Sequence, residues 1–186
     1  MNVKIIKNPQ FGPLAIVWSW LNEYPQILKI IISKPDLSAE NQLINTYPHY
    51  DLSSCDEVDE LATSIQAFLD GADIKFPLDI MAMDSCSPFQ KAVLLAEYEI
   101  QRGKVSTYKL IAQYLGKGGG ARAVGNALAG NPFPIVIPCH RAIRSDGYVG
   151  GFQGGVAMKK ALLEKEGIIF DAKGRVISPR LQYNPK

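Results

Sequence analysis

From Ser87 onward, glycines cut every apolar-periodic stretch short, which limits the second half of the chain to brief helices joined by tight turns. Ser87 suits a helix N-cap and Pro88 the first helical position, with Phe89, Ala92, Val93, Ala96 and Ile100 along one face. Gly103 ends that segment. Ser106 is placed to cap a second helix carrying Leu110, Ile111, Tyr114 and Leu115, and Gly116 stands just past its end. Glycines at 118–120 lead into a short third helix over 121–129. Two short helices joined by a glycine-containing turn have the form of a helix-turn-helix, and equally of a helical hairpin that binds nothing.

The first half reads differently. Residues 3–7, 14–20 and 27–32 are β-rich apolar runs separated by Pro and Gly. One helix is expected after Ser54, where Ser54 and Glu57 form a capping-box pattern. Val58, Leu61, Ala62, Ile65, Phe68 and Leu69 then recur at helical spacing up to Gly71. Residues 73–87, with Pro77, read as a link. At 186 residues there is room for two small cores. The expected fold is α+β. A small N-terminal α/β domain over 1–80 has a few-stranded antiparallel sheet plus a helix. A mainly helical, winged-helix-like domain with the helix-turn-helix follows over 86–175, and a tail over 176–186.

Hydrophobic content of 47% and charged content of 20% are those of a soluble globular chain. No apolar stretch approaches the roughly 18 residues needed to span a bilayer, and residues 1–9 lack a signal-peptide pattern. A cytoplasmic monomer with no membrane partner is expected. Cys55, Cys86 and Cys139 are odd in number and widely spaced, against a disulfide framework. The histidines are His49 and His140, so no paired cluster suits a metal; no metal and no cofactor are expected.

The small net charge conceals an asymmetry. Residues 1–101 carry six lysines against fourteen acids, and residues 102–186 carry fourteen basic residues against four acids. Between Arg102 and Arg144 there is no Asp or Glu. Such a distribution suits a polyanion partner, and it also suits a solvated basic face. The third helix is unusual too: Gly120, Ala121, Ala123, Gly125, Ala127 and Ala129 are small, and Arg122 is its charged residue. Small residues plus one Arg suit close approach in a minor groove better than major-groove base reading. Tight packing through alanines is the alternative.

Chemistry concentrates further on. After Gly130, Asn131 and Pro132 comes the apolar run Ile135 to Ile137, read as a buried strand, and then Pro138-Cys139-His140-Arg141. A cysteine beside a histidine and basic residues is a candidate nucleophile, although a buried cysteine also serves as a small hydrophobe.

The chain resembles the O6-alkylguanine-DNA alkyltransferase family over roughly residues 86–170. The resemblance rests on Ser87-Pro88-Phe89-Gln90, Gly103-Lys104-Val105-Ser106-Thr107-Tyr108, Ala121-Arg122-Ala123-Val124-Gly125 and Gly130-Asn131-Pro132. It continues through Ile137-Pro138-Cys139-His140-Arg141, Gly147-Tyr148-Val149-Gly150-Gly151-Phe152 and Leu162-Leu163-Glu164-Lys165-Glu166-Gly167. Residues 1–85 carry no comparably sharp motif.

The resemblance implies direct reversal of DNA damage: an alkyl group moves from an everted guanine to Cys139, once and irreversibly. His140 would take the thiol proton through water, Glu166 would orient the imidazole, Tyr108 would donate to the departing guanine, and Asn131 would brace the turn. Arg122 and Ala121 would enter the minor groove, with Lys109, Lys117 and Gln90 as further DNA contacts. Ser145, Val149, Gly150 and Gln153 would wall the base pocket. Gln153 stands where some members have a hydroxyl residue, which puts that contact in doubt. The implied partner is duplex DNA carrying O6-alkylguanine, with O4-alkylthymine as a second candidate lesion. Three other classes compete: a binding-only sensor of alkylguanine, which Cys139 argues against, a thiol hydrolase, and a helix-turn-helix regulator of undamaged DNA.

Overall fold

The structure, a computed structural model, describes residues 1–177 and 181–183. They divide into two compact units, Met1–Ser85 with Pro132–Val136, and Cys86–Asn131 with the chain from Ile137 onward. The insertion of 132–136 into the first unit interrupts the stretch expected to form a continuous second domain. The tail expected over 176–186 lies partly outside the described residues.

In the first unit, β1 (Asn2–Ile6), β2 (Leu14–Leu21) and β3 (Tyr24–Ile32) form an antiparallel meander. Asn22 and Glu23 both take left-handed backbone, φ 48 and 67, as a two-residue hairpin turn requires. The chain then crosses over through α1 (Ala39–Thr46) to β4 (Asp51–Leu52), which pairs with β1 in parallel. The sheet, in the order β3-β2-β1-β4, is therefore mixed rather than antiparallel, because a crossover helix returns the chain in the same direction. This helix was not expected. Its buried residues are Ala39 and Leu43, too sparse a stripe to announce it, and Ser38 caps it by accepting from Asn41 N at 3.2 Å. Ala39 and Leu43 pack with Val3, Ala15, Val17 and Ile31. Residues 14–18 of β2 are all buried, so both faces are covered and the run shows no alternation.

The expected apolar stripe of α2 (Asp56–Asp70) is buried throughout. Its capping box does not form. The N-cap is Cys55, without a side-chain bond, and Ser54 Oγ instead meets Asp59 Oδ1 at 2.6 Å. Asp56, Glu57 and Asp59 complement the helix dipole at that end. Residues 73–87 are more than a link. Phe76 packs its ring 5.7 Å from that of Phe68, and Met81 bridges to Ile27 beside the sheet. Pro132 O accepts from Ile30 N at 2.8 Å.

The second unit is mainly helical. In α3 (Pro88–Tyr98) Ser87 Oγ accepts from Gln90 N at 3.3 Å, as the sequence suggested. The second helix, α4 (Tyr108–Tyr114), starts later than Ser106 implied: Thr107 is its cap, accepting from Leu110 N. Ser106 and Thr107 form β5 (Ser106–Thr107), which pairs in parallel with β6 (Ala142–Ile143). Next comes α5 (Ala121–Ala129), packed on α4 and α3. A 3-10 turn over Cys139–Arg141 and α6 (Gly155–Lys165) complete the unit. The run 135–137 is not a strand. Ile135 takes φ 77, which a strand cannot accommodate, and Cys139 N turns back to Ile137 O at 2.7 Å.

Ile65 is fully buried on α2. Ile65→Ala should cost about 2–5 kcal/mol in urea unfolding, and a loss below about 1 kcal/mol would mean that the stripe is not seated in a packed core.

Candidate active site

The turn Cys139–Arg141 is held from both ends. Asn131 Nδ2 donates to Ile137 O at 3.2 Å, and the same side chain hydrogen-bonds the Cys139 sulfur. Arg141 N donates to Pro138 O at 2.8 Å. The result points adjacent Cys139 and His140 away from the extended geometry in which neighbours face opposite sides. Cys139 is 5% exposed and His140 is fully buried.

Beneath the turn, Glu166 is the hub. His140 Nε2 lies 2.9 Å from Glu166 Oε1, and Arg141 reaches the same carboxylate through Nε at 2.9 Å and Nη2 at 2.8 Å. Arg141 Nη1 also donates to Ile100 O just past the end of α3. Burial alone would raise the Glu166 carboxyl, but the hydrogen bond and charge of His140, then those of Arg141, bring it from 4.5 down to about 2. Glu166 is therefore an acceptor. Its partner Nε2 must donate, leaving the His140 Nδ1 lone pair as the base. Burial holds the imidazole below its ordinary pKa, against the pull of Glu166.

Burial also pushes the Cys139 thiol up to about 11, with the negative charge of Glu97 adding to it and the Asn131 hydrogen bond and Lys159 opposing it. Only about one thiol in ten thousand is ionised at neutral pH. At rest Cys139 is a thiol, and a thiol so placed would need a base to act as a nucleophile.

Tyr108 and Lys159 form the neighbouring wall. Lys159 is fully buried, and its Nζ donates to Ala142 O at 2.6 Å, Gly151 O at 3.1 Å and Tyr108 Oη at 3.4 Å. Burial first, then the charges of Glu97 and Cys139, push the Tyr108 phenol up to about 12, so it remains a donor. Gly150 has φ 74, and a Cβ there would lie 2.9 Å from Tyr108 Oη, so backbone and phenol pack as closely as glycine permits.

The structure thus brings Cys139, His140, Glu166, Asn131, Tyr108 and Gly150 into one region, with Val149 buried beside them. Gln90 and Gln153 have a different occupation. Gln90 Nε2 donates to Gly130 O at 2.9 Å and Ala127 O at 3.2 Å, and Gln153 Nε2 to Asn131 O at 2.7 Å and Ala129 O at 3.2 Å. These amides satisfy carbonyls at the C-terminal end of α5. Ala121 is half-buried, and Arg122, Lys109, Lys117 and Ser145 are exposed. Among the described residues no group of three or more His, Cys, Asp or Glu is arranged to hold a metal.

Three buried charges escaped the sequence reading: Arg141, Lys159 and Glu97. A signal existed for two of them. Lys159 stands at helical spacing with Leu162, Leu163 and Glu166, and Glu97 with Val93, Ala96 and Ile100, each a charge on an apolar face.

Fold and site together define an α+β protein in which a helix-turn-helix adjoins a buried Cys-His-Glu arrangement. Residues 88–168 match the family model described as the 6-O-methylguanine DNA methyltransferase, DNA binding domain. A methylated-DNA–protein-cysteine methyltransferase of Methanothermobacter thermautotrophicus is 45% identical over 116 residues, covering 62% of this chain and 65% of the relative. One from Pyrobaculum aerophilum is 48% identical over 83 residues, covering 44% and 55%. The chain therefore spans less than two thirds of the length of these relatives. Among solved structures, Mycobacterium tuberculosis OGT in complex with DNA matches with TM-score 0.70 at 26% identity, covering 90% of this chain and 93% of that one. The O6-methylguanine-DNA methyltransferase of Pyrococcus kodakaraensis matches in fold, with TM-score 0.68 at 24% identity over 90% and 99%. Over residues 88–168 the chain is similar to the O6-alkylguanine-DNA alkyltransferases, as its motifs implied, and its α+β fold is that of the solved structures it matches.

Removing the Glu166 charge should be costly, since it leaves Arg141 buried without its counter-ion: Glu166→Gln should lose about 3–5 kcal/mol at pH 7. With the carboxyl depressed in the folded state, its contribution is present above pH 4.5 and fades as pH falls through about 2. The variant's deficit in acid unfolding should shrink across that window, and a constant deficit would refute the assignment.

Proposed function

We propose that this chain repairs DNA by moving an alkyl group from O6 of guanine to Cys139 in a single, irreversible event. The reading is carried by one observation: a cysteine on a hydrogen-bonded turn next to a histidine whose Nε2 is committed to Glu166. The thiol proton passes through a water to His140 Nδ1, and the imidazolium is stabilised by Glu166. The sulfur then bonds to the alkyl carbon as the carbon–oxygen bond breaks, and the electron pair remains on the guanine. Tyr108 donates to the departing base, so it does not leave as a bare anion. The product is a thioether, which water does not cleave at neutral pH, so one molecule removes one lesion.

The target carbon is hidden inside the duplex, and everting the base costs a few kcal/mol. In this reading the small-residue surface of α5 enters the minor groove and exposed Arg122 fills the space left in the stack. Lys109 and Lys117 meet phosphates, and residues 145–152 close over the base with the Val149 carbonyl accepting from it. The protein works as a monomer in the cytoplasm on duplex DNA bearing O6-alkylguanine, with O4-alkylthymine as a second substrate. The curated relatives are named for the corresponding activity, and a structural relative is described in complex with DNA.

Intact mass measured after incubation with an O6-methylguanine duplex should rise by one methyl group per protein, located on Cys139. Cys139→Ser should abolish that transfer with DNA affinity changed by less than about twofold; transfer at the parent rate would refute the nucleophile. Arg122→Ala should slow repair of duplex DNA by about tenfold or more while reaction with free O6-benzylguanine stays near the parent rate. Equal losses on both substrates would remove its role in eversion.

A further inference from the structure

Glu97 is fully buried, and among the described residues its carboxylate oxygens have no close hydrogen-bond partner. The Ala142 backbone N–H faces the carboxyl more weakly, and Ala142 O accepts from Lys159 Nζ, so the two side chains meet at one residue. A lone carboxylate in such a place is expensive and demands a reason. Its helix, α3, packs on the turn Cys139–Arg141. The charged and titratable groups that act on it are Lys159 from α6, Arg141 and Cys139 from the turn, Tyr108 from the start of α4, and Tyr183 from the last described segment, whose Oη bonds Ala96 O at 2.7 Å. Arg122, the charged residue of α5, is exposed.

Lys159 supplies the reason. Its Nζ faces three oxygens, those of Ala142, Gly151 and Tyr108. An ammonium has three N–H donors and serves all three, leaving the Tyr108 O–H free to donate elsewhere, whereas a neutral amine has two donors and a lone pair that takes the phenol O–H for itself. Only the charged form holds the phenol oxygen as an acceptor and leaves its proton available to the departing base. Burial works against that form and pulls Lys159 from 10.5 down to about 8, while Glu97 pulls it back.

We propose that Glu97 is a positioning residue of the alkyl-transfer site, a buried counter-charge that keeps Lys159 an ammonium and so keeps the Tyr108 O–H free to donate to the departing base. The inference rests on the alkyl-transfer reading. It also explains why an unbonded carboxylate sits beside a nucleophile whose ionisation it hinders: its effect on the thiol is the cost of holding the lysine. Glu97 itself is pushed by burial from 4.5 up to about 8. Carboxyl and ammonium therefore share a titration range, and the pair is at its most charged where the two overlap.

The test uses the full chain with 13C-labelled lysine and glutamate. The Lys159 side-chain resonance should titrate near pH 8 in the parent and about one unit or more lower in Glu97→Gln. The rate with O6-benzylguanine should show the consequence. The ratio of variant to parent rates should fall about tenfold between about pH 6, where Lys159 is protonated in both, and about pH 8.5, where the variant has lost the proton. A merely structural defect would lower the rate equally at both pH values. An unmoved Lys159 titration, or a pH-independent ratio, would overturn the proposal. If Glu97→Gln does not fold, Lys159→Met provides the reciprocal measurement: the Glu97 carboxyl resonance should titrate higher than in the parent, and no movement would overturn the proposal equally. Should the parent accept no alkyl group at all, the alkyl-transfer reading fails, while the lysine titration still decides whether Glu97 holds Lys159 charged.

Discussion

The bond between Glu166 and the turn residues His140 and Arg141 is the constraint from which the site follows. A carboxylate with an imidazole at 2.9 Å and a guanidinium at 2.8 Å has its charge shared between a group that can move a proton and one that cannot. The hydrogen bonds and charge of Arg141 help hold Glu166 as an anion, and the anion fixes the histidine tautomer. Arg141 also ties the turn to the segment just past α3 through Ile100 O. One buried ion pair therefore sets a protonation state and a backbone position together. Such pairs rarely add stability over an apolar core, so the return lies in specifying the site's geometry.

Helices α2 to α5 were legible from spacing, and the site residues from the resemblance. The stops at Gly103 and Gly116 and the cap at Ser87 helped place α3, α4 and α5, three of the four helices described in the second unit, because a missing Cβ and a capping hydroxyl act locally. The motif blocks located Cys139, His140, Glu166, Tyr108 and Asn131, which the fold brings together. The failures share a cause, which is that tertiary context decided between local options of similar energy. Ser106 and Thr107 are both good caps, and Thr107 took the role while the Ser106 hydroxyl donates to Gln182 O. Ser54 and Glu57 match a capping box, yet Asp59 claimed the hydroxyl. The apolar run at 135–137 carried no period and so could not distinguish a strand from a packed irregular segment.

The buried charges were illegible for a different reason. Sequence reading assigns lysine and glutamate to solvent by default, and it is right nearly always. Lys159 and Glu97 break the default on the apolar faces of their helices. Gln90 and Gln153 illustrate the converse: both were read as ligand contacts, and both amides are occupied by the last carbonyls of α5. A polar residue inside a functional motif can be there to hold the motif's shape.

Burial also bears on a protein that would act once. A thiol in solution near pH 7 ionises a few times in a hundred and reacts with any soft electrophile or oxidant it meets. Cys139, 5% exposed and pushed up to about 11, is ionised far less often. On the alkyl-transfer reading this restraint is useful, because a nucleophile that cannot be regenerated is lost by any wrong reaction. On that same reading the Nδ1 of His140 and the hydrogen bond from Asn131 restore reactivity locally, through a base and a donor already in place. Burial thus lowers the background reaction while the fixed donors preserve the specific one, and the surrounding charges, Lys159 and Glu97 among them, set where on the pH scale that balance falls.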